Sequence, residues 1–141
     1  MTLSLSQARA IIAGTLAAGS NAAFKPLTVV VLDAGGHVIA VEREDGSSNK
    51  RFEVAYGKAH GAVSMGMGSR SLMARAEQQP YFIAALNRSV GALIPVPGGV
   101  LVKATDGTPL GAVGVSGDTS DHDEQAALAG IESAGLVGQP D

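Results

Sequence analysis

The chain has 141 residues, 45% hydrophobic but only 4% aromatic, with 19 glycines, no tryptophan, no cysteine and a formal net charge of −3. That length suits one domain over residues 1–141, while the missing cysteines exclude disulfides, thiolate metal sites and thiol nucleophiles. Scattered Lys and Arg leave no footprint for nucleic acid; no apolar run is long enough for a membrane span and residues 1–10 do not read as a signal peptide, so a cytoplasmic protein is expected.

Residues 4–22 read as a helix capped by Ser4 or Ser6, with Ala8, Ile11, Ile12, Thr15 and Leu16 on one face. Its other face, Ala10, Ala13, Gly14 and Ala17, is small and apolar, which points to burial against a second subunit. Residues 27–32 form a β-branched strand, Asp33-Ala-Gly-Gly a turn, and residues 37–43 the returning strand. A loop at 45–48 leads into a helix over 49–66, broken at Gly66-Met-Gly-Ser. A short helix is expected at 70–77, and 81–88 carries no decisive periodicity.

Three more strands are predicted at 90–96, 100–105 and 110–115, joined by Pro97-Gly-Gly and Asp106-Gly. Ser120 or Asp121 then caps a last helix with Ala127, Leu128, Ile131 and Ala134 inward, ended by Gly135. The short connections require antiparallel neighbours. The expected fold is therefore α+β, a five-stranded antiparallel sheet flanked by helices.

Five phrases occur in order: Val31-Leu-Asp-Ala-Gly-Gly-His-Val-Ile-Ala, Arg43-Glu-Asp-Gly, Gly57-Lys-Ala-His, Pro95-Val-Pro-Gly-Gly-Val, and Gly111-Ala-Val-Gly-Val-Ser-Gly with Asp123-Glu124 following. Together they resemble the GlcG/HbpS family, labelled haem-degrading or haem-binding, which includes the C-terminal domain of PduO-type proteins. The resemblance covers nearly the whole chain. It implies a profilin-like or PAS-like sheet, homo-oligomers from tetramer to octamer, and binding of haem or another tetrapyrrole. It also implies a first-helix histidine as axial ligand, and residues 4–22 contain none.

The histidines are His37, His60 and His122. His37 follows a turn, where side chains are commonly exposed. His60 stands alone on its helix; without HxxxH or HxH spacing it fits no zinc motif, so no metal site is expected, and its roles are single ligand or general base. His122 lies in an acidic first turn that complements a helix dipole. The alternative is that Ser116, Gly117 and the free amides of that helix hold a small anion beside His122. Asp123 and Glu124 then either move protons or hold basic partners. Gly98 and Gly99 form a hairpin turn or the bare wall of a pocket. Arg43, with Asp45 and Lys58, is suited to a carboxylate, unless it simply pairs with Asp45 or Glu53 at the surface. Met65 and Met67 read as helix-end packing.

Three functions are consistent with these residues. The first is a small-ligand-binding protein, with haem the cofactor that the resemblance implies. The second is an enzyme acting on a small oxo- or hydroxy-acid, with Arg43 binding the carboxylate and His60, Asp123 or Glu124 moving protons. The third is an oligomeric accessory protein.

Overall fold

A computed structural model describes residues 2–141. The elements in chain order are α1 (Leu5–Asn21), β1 (Thr28–Asp33), β2 (Val38–Arg43), α2 (Arg51–Met65), α3 (Ser69–Gln78), α4 (Pro80–Val90), β3 (Gly99–Lys103), β4 (Pro109–Ser116), α5 (Ser120–Ser133) and β5 (Val137–Gln139). The five strands form one antiparallel sheet in the order β2-β1-β4-β3-β5. The expected α+β architecture is what the chain adopts. No helix among the described residues is long and apolar enough to cross a membrane.

Helices cover both faces of the sheet. Val29, Val31, Val102, Val113 and Val115 meet Ile11, Ile12, Ala127 and Ile131 on one side. Val30, Leu32, Leu101 and Ala112 meet Ala55, Ala59 and Ala62 of α2 on the other. Alternate residues of β1 therefore point into two different cores, which is why an unbroken apolar run sits at the sheet's centre. Small residues let the layers close. A side chain at Gly114 would collide with the Ala55 carbonyl of α2.

Ser4 caps α1 through a reciprocal pair with Gln7: Gln7 N donates to Ser4 Oγ, and Ser4 N to Gln7 Oε1. One face of α1 packs on α5, with Gly14 against Ser133 and Thr15 against Gly130. Ala10, Ala13 and Ala17 remain exposed in the single chain. Thr119, rather than Ser120 or Asp121, caps α5 by accepting from His122 N.

Two strand expectations need correction. Residues 90–96 are not a strand: Val90 ends α4, Gly91 takes a positive φ of 93°, and the segment crosses α2 with Ile94 N bonded to Gly57 O. Pro95 and Pro97 have no N–H to give a sheet ladder. The fifth strand is instead β5, whose three residues pair with β3 at the opposite end of the chain's order. Leu93 thereby joins Leu72 and Ile83 in a third cluster, and Met65 and Met67 pack there as helix-end residues.

Candidate functional site

Residues 55, 59 and 62 place α2 flat on the sheet, so the adjacent Lys58 is carried inward as well. Its side chain is 2% exposed, as is that of Asp123 at the start of α5. Lys58 Nζ donates to Asp123 Oδ2 at 3.0 Å and to Val115 O at 2.9 Å. The second carboxylate oxygen accepts from Asp118 N at 2.9 Å. Burial pushes the Lys58 ammonium down against the pull of Asp123. Burial likewise pushes the Asp123 carboxyl up against the pull of Lys58. The pair costs desolvation and recovers it through its mutual attraction and extra hydrogen bonds.

The glycine turn closes over this pair. Gly98 has φ +121°, and a Cβ there would lie 2.8 Å from both Lys58 Nζ and Val115 O. Gly99 N donates to Ser69 Oγ at 2.7 Å, and Val115 N donates to Gly98 O at 2.9 Å. Lys58, Asp123, Gly98, Gly99 and the end of β4 are thus brought together, though with side chains and main chain already joined. At the α5 start, Asp118 N, Thr119 N and His122 N all donate to protein side-chain oxygens. Those three amides are engaged within the fold.

Asp123 and Glu124 both hold basic partners. The Arg70 guanidinium reaches Glu124 through Nε and Nη2 at 3.1 Å and also bonds Asp121. Arg43 lies far from them along the chain's path, on a cleft of about 530 Å³ lined by Leu16, Ser20, Phe24, Glu42, Glu44 and Asp45 among others. That lining has one cation and three carboxylates, an environment that repels acids. None of His60, Asp123 and Glu124 lines it. The side chains named for proton transfer and carboxylate binding do not share that hollow.

The histidines differ in a useful way. His37 is 82% exposed, with Nδ1 3.2 Å from Asp33 Oδ1. His122 is held by Asp118 at 2.7 Å and lies flat on Phe24, centroids 4.3 Å apart. His60 is half-buried, and its Nδ1 sits 2.8 Å from Ala92 O. A carbonyl only accepts, so Nδ1 carries the hydrogen and the neutral ring's Nε2 keeps its lone pair. His60 ends a row on α2 with Tyr56 and Phe52, centroids 5.2 and 5.9 Å apart. Gly36 and Gly91 flank its ring. One helical turn further, Val63 borders an apolar hollow of about 270 Å³ with Leu101, Pro109 and Lys103. Among the described residues no three His, Asp or Glu side chains are grouped to hold a metal ion.

Sequence reasoning named His60 but not Tyr56 as its neighbour in function, nor Arg51, whose Nη1 donates to Ser116 Oγ at 3.1 Å. Spacing of four residues along α2 was the available signal for the first. None existed for the second.

A five-stranded antiparallel sheet between two helical layers, with a glycine turn locked on a buried Lys–Asp pair, defines a small α+β domain class. The profile described as "Haem degrading protein HbpS-like" matches residues 3–132, and the chain belongs to that family. Among solved structures, a complex of PduOC with heme is 22% identical over 96% of this chain and 97% of that one, with a TM-score of 0.85. HbpS is 28% identical over 94% and 89%, TM-score 0.81. Protein ORFY of Klebsiella pneumoniae is 21% identical over 96% and 92%, TM-score 0.85. No functionally curated protein sequence matches the chain.

Proposed function

We propose that this chain is a small-ligand-binding protein whose ligand is a haem-type tetrapyrrole, taken on the outer face of α2 with His60 as the ligating side chain. The observation that carries this reading is the fixed imidazole: Ala92 O holds Nδ1, leaving Nε2 as a donor. Membership of the HbpS-like family and the heme held by the similar PduOC structure support the ligand class. The donor set fits. His60 supplies one neutral nitrogen, and Tyr56 and Phe52 continue an aromatic surface beside it. When bound, haem would supply a redox-active iron; the protein's part is to hold and orient it.

His60 is preferred over the other two on physical grounds. His122 already has one ring face on Phe24 and stands among Asp118, Asp121 and Asp123, which repel the carboxylates of a tetrapyrrole. His37 is bound to Asp33 on an open turn. α1 carries no histidine. None of the hollows described above is lined by a histidine, so covering the macrocycle falls to a second copy of the chain. The exposed Ala10, Ala13 and Ala17 face of α1 is a surface suited to such association.

Hemin titration followed in the Soret region tests the proposal. Wild-type protein, His37→Ala and His122→Ala should give the same stoichiometric shift, and His60→Ala should lose it. A shift unchanged in His60→Ala overturns the assignment. Solution mass at micromolar concentration should exceed that of the 14.1 kDa monomer.

A further inference from the structure

A third hollow, of about 210 Å³, lies where α2 begins, lined by Lys25, Pro26, Gly46, Ser47, Ser48, Arg51 and Gly117. Its lining holds two cations and no carboxylate, the reverse of the neighbouring Arg43 cleft. Where α2 begins, Arg51 N donates to Ser48 O, Lys50 at the N-cap makes no side-chain hydrogen bond, and Glu53 is the acidic residue of the first turn.

Two buried side-chain atoms among the described residues lack hydrogen-bond partners, Ser47 Oγ and Thr28 Oγ1. Both belong to this end of the molecule. Ser47 lines the hollow itself. Thr28 is fully buried and pairs in register with Ser116, whose hydroxyl accepts from Arg51. An orphaned buried hydroxyl is costly to keep.

Arg51 is held in place from two sides, with Nε donating to Ser48 Oγ at 2.9 Å and Nη1 to Ser116 Oγ at 3.1 Å. Among the described residues its Nη2 has no acceptor within hydrogen-bond distance. Lys25 is positioned by its main chain, since Lys25 N donates to Asp118 Oδ2 at 2.7 Å. Asp118 is the acidic group in contact with this set. Its oxygens also accept from Thr119 N and bond His122 Nδ1, so its charge is shared among three donors.

We infer that this hollow is a binding site for a small oxyanion, a phosphate or carboxylate group, held by Lys25 and Arg51. Volume and charge together define the class. The space admits one such group, and a fixed guanidinium with a flexible ammonium suits its oxygens. The site is separate from the His60 face, and neither depends on the other.

Amide chemical-shift titration of the full chain with inorganic phosphate, and separately with acetate, tests it. Saturable shifts should appear at Ser47, Arg51 and Gly117, and the tighter of the two anions identifies the group. Lys25→Gln should weaken binding about tenfold, the loss of one charge-assisted contact, while keeping the wild-type melting temperature. Arg51→Gln should weaken it at least as much. His60→Ala should leave it unchanged. Shifts that do not saturate, or an affinity unaltered by Lys25→Gln, overturn the inference.

Discussion

Lys58 and His60 are two residues apart on α2, yet they face opposite circumstances. Lys58 is sealed in the interior, every contact of its ammonium made by protein groups at 2.9 and 3.0 Å. His60 is anchored by one nitrogen, and among the described residues the other has no hydrogen-bond partner. The comparison shows why a sequence motif that spans both is not one site. Gly57-Lys-Ala-His holds a buried cation pointing inward and a half-buried imidazole. Helical geometry separates them, because residues two apart lie on different faces.

The largest expected effect breaks the inward half. Asp123→Ala leaves a buried ammonium without its counter-charge and should cost about 3–5 kcal/mol in denaturant unfolding. Lys58→Met combined with Asp123→Leu should recover most of that loss, since both charges then leave together. If the double variant is as unstable as the single one, the pair is not what links α2 to α5.

Gly98→Ala attacks the same knot from the turn. The positive φ alone should cost about 1–3 kcal/mol, and the new methyl meets Lys58 Nζ. Thermal unfolding should reveal it. His60→Ala sharpens the outward half: loss of the Ala92 bond should cost only about 1 kcal/mol, while the hemin-induced Soret shift disappears. A large fall in stability would mean that His60 serves the fold instead.

The smallest effect is a pH dependence. Amides of Lys25 and Thr119, with His122, hold the Asp118 carboxyl down from 3.8 to about 2. A depressed carboxyl adds stability that is present above its usual value and is lost as pH falls toward the folded one. Wild-type denaturation midpoints should therefore drop between pH 3.8 and about 2, and Asp118→Asn should flatten that part of the profile.

Local chemistry made much of the fold legible. Four β-branched residues before Asp33-Ala-Gly-Gly announced the β1–β2 hairpin, and the α1 cap was legible as Ser4 or Ser6, of which the fold uses Ser4. Residues 90–96 misled because Val90, Leu93 and Ile94 are apolar enough for a strand. Their backbone answers to α2 and to two prolines instead. Val137-Gly-Gln carries no pattern of its own, and it is a strand only because β3 offers an edge. The residues of the candidate sites were less readable. Lys58 and Asp123 lie 65 positions apart, and nothing local joins a Lys to a distant Asp. Lys25, Ser47 and Arg51 come from two connections and a helix start, so only the folded chain gathers them.

That last strand has a practical side. Its three residues pair in register with Leu101, Val102 and Lys103 along the outer edge of β3. Shortening the chain ahead of Val137, or loading its tail so that the strand detaches, would bare a flat apolar ribbon able to template pairing between molecules. Handling losses after C-terminal trimming would then reflect self-adhesion at that margin, with the interior still intact.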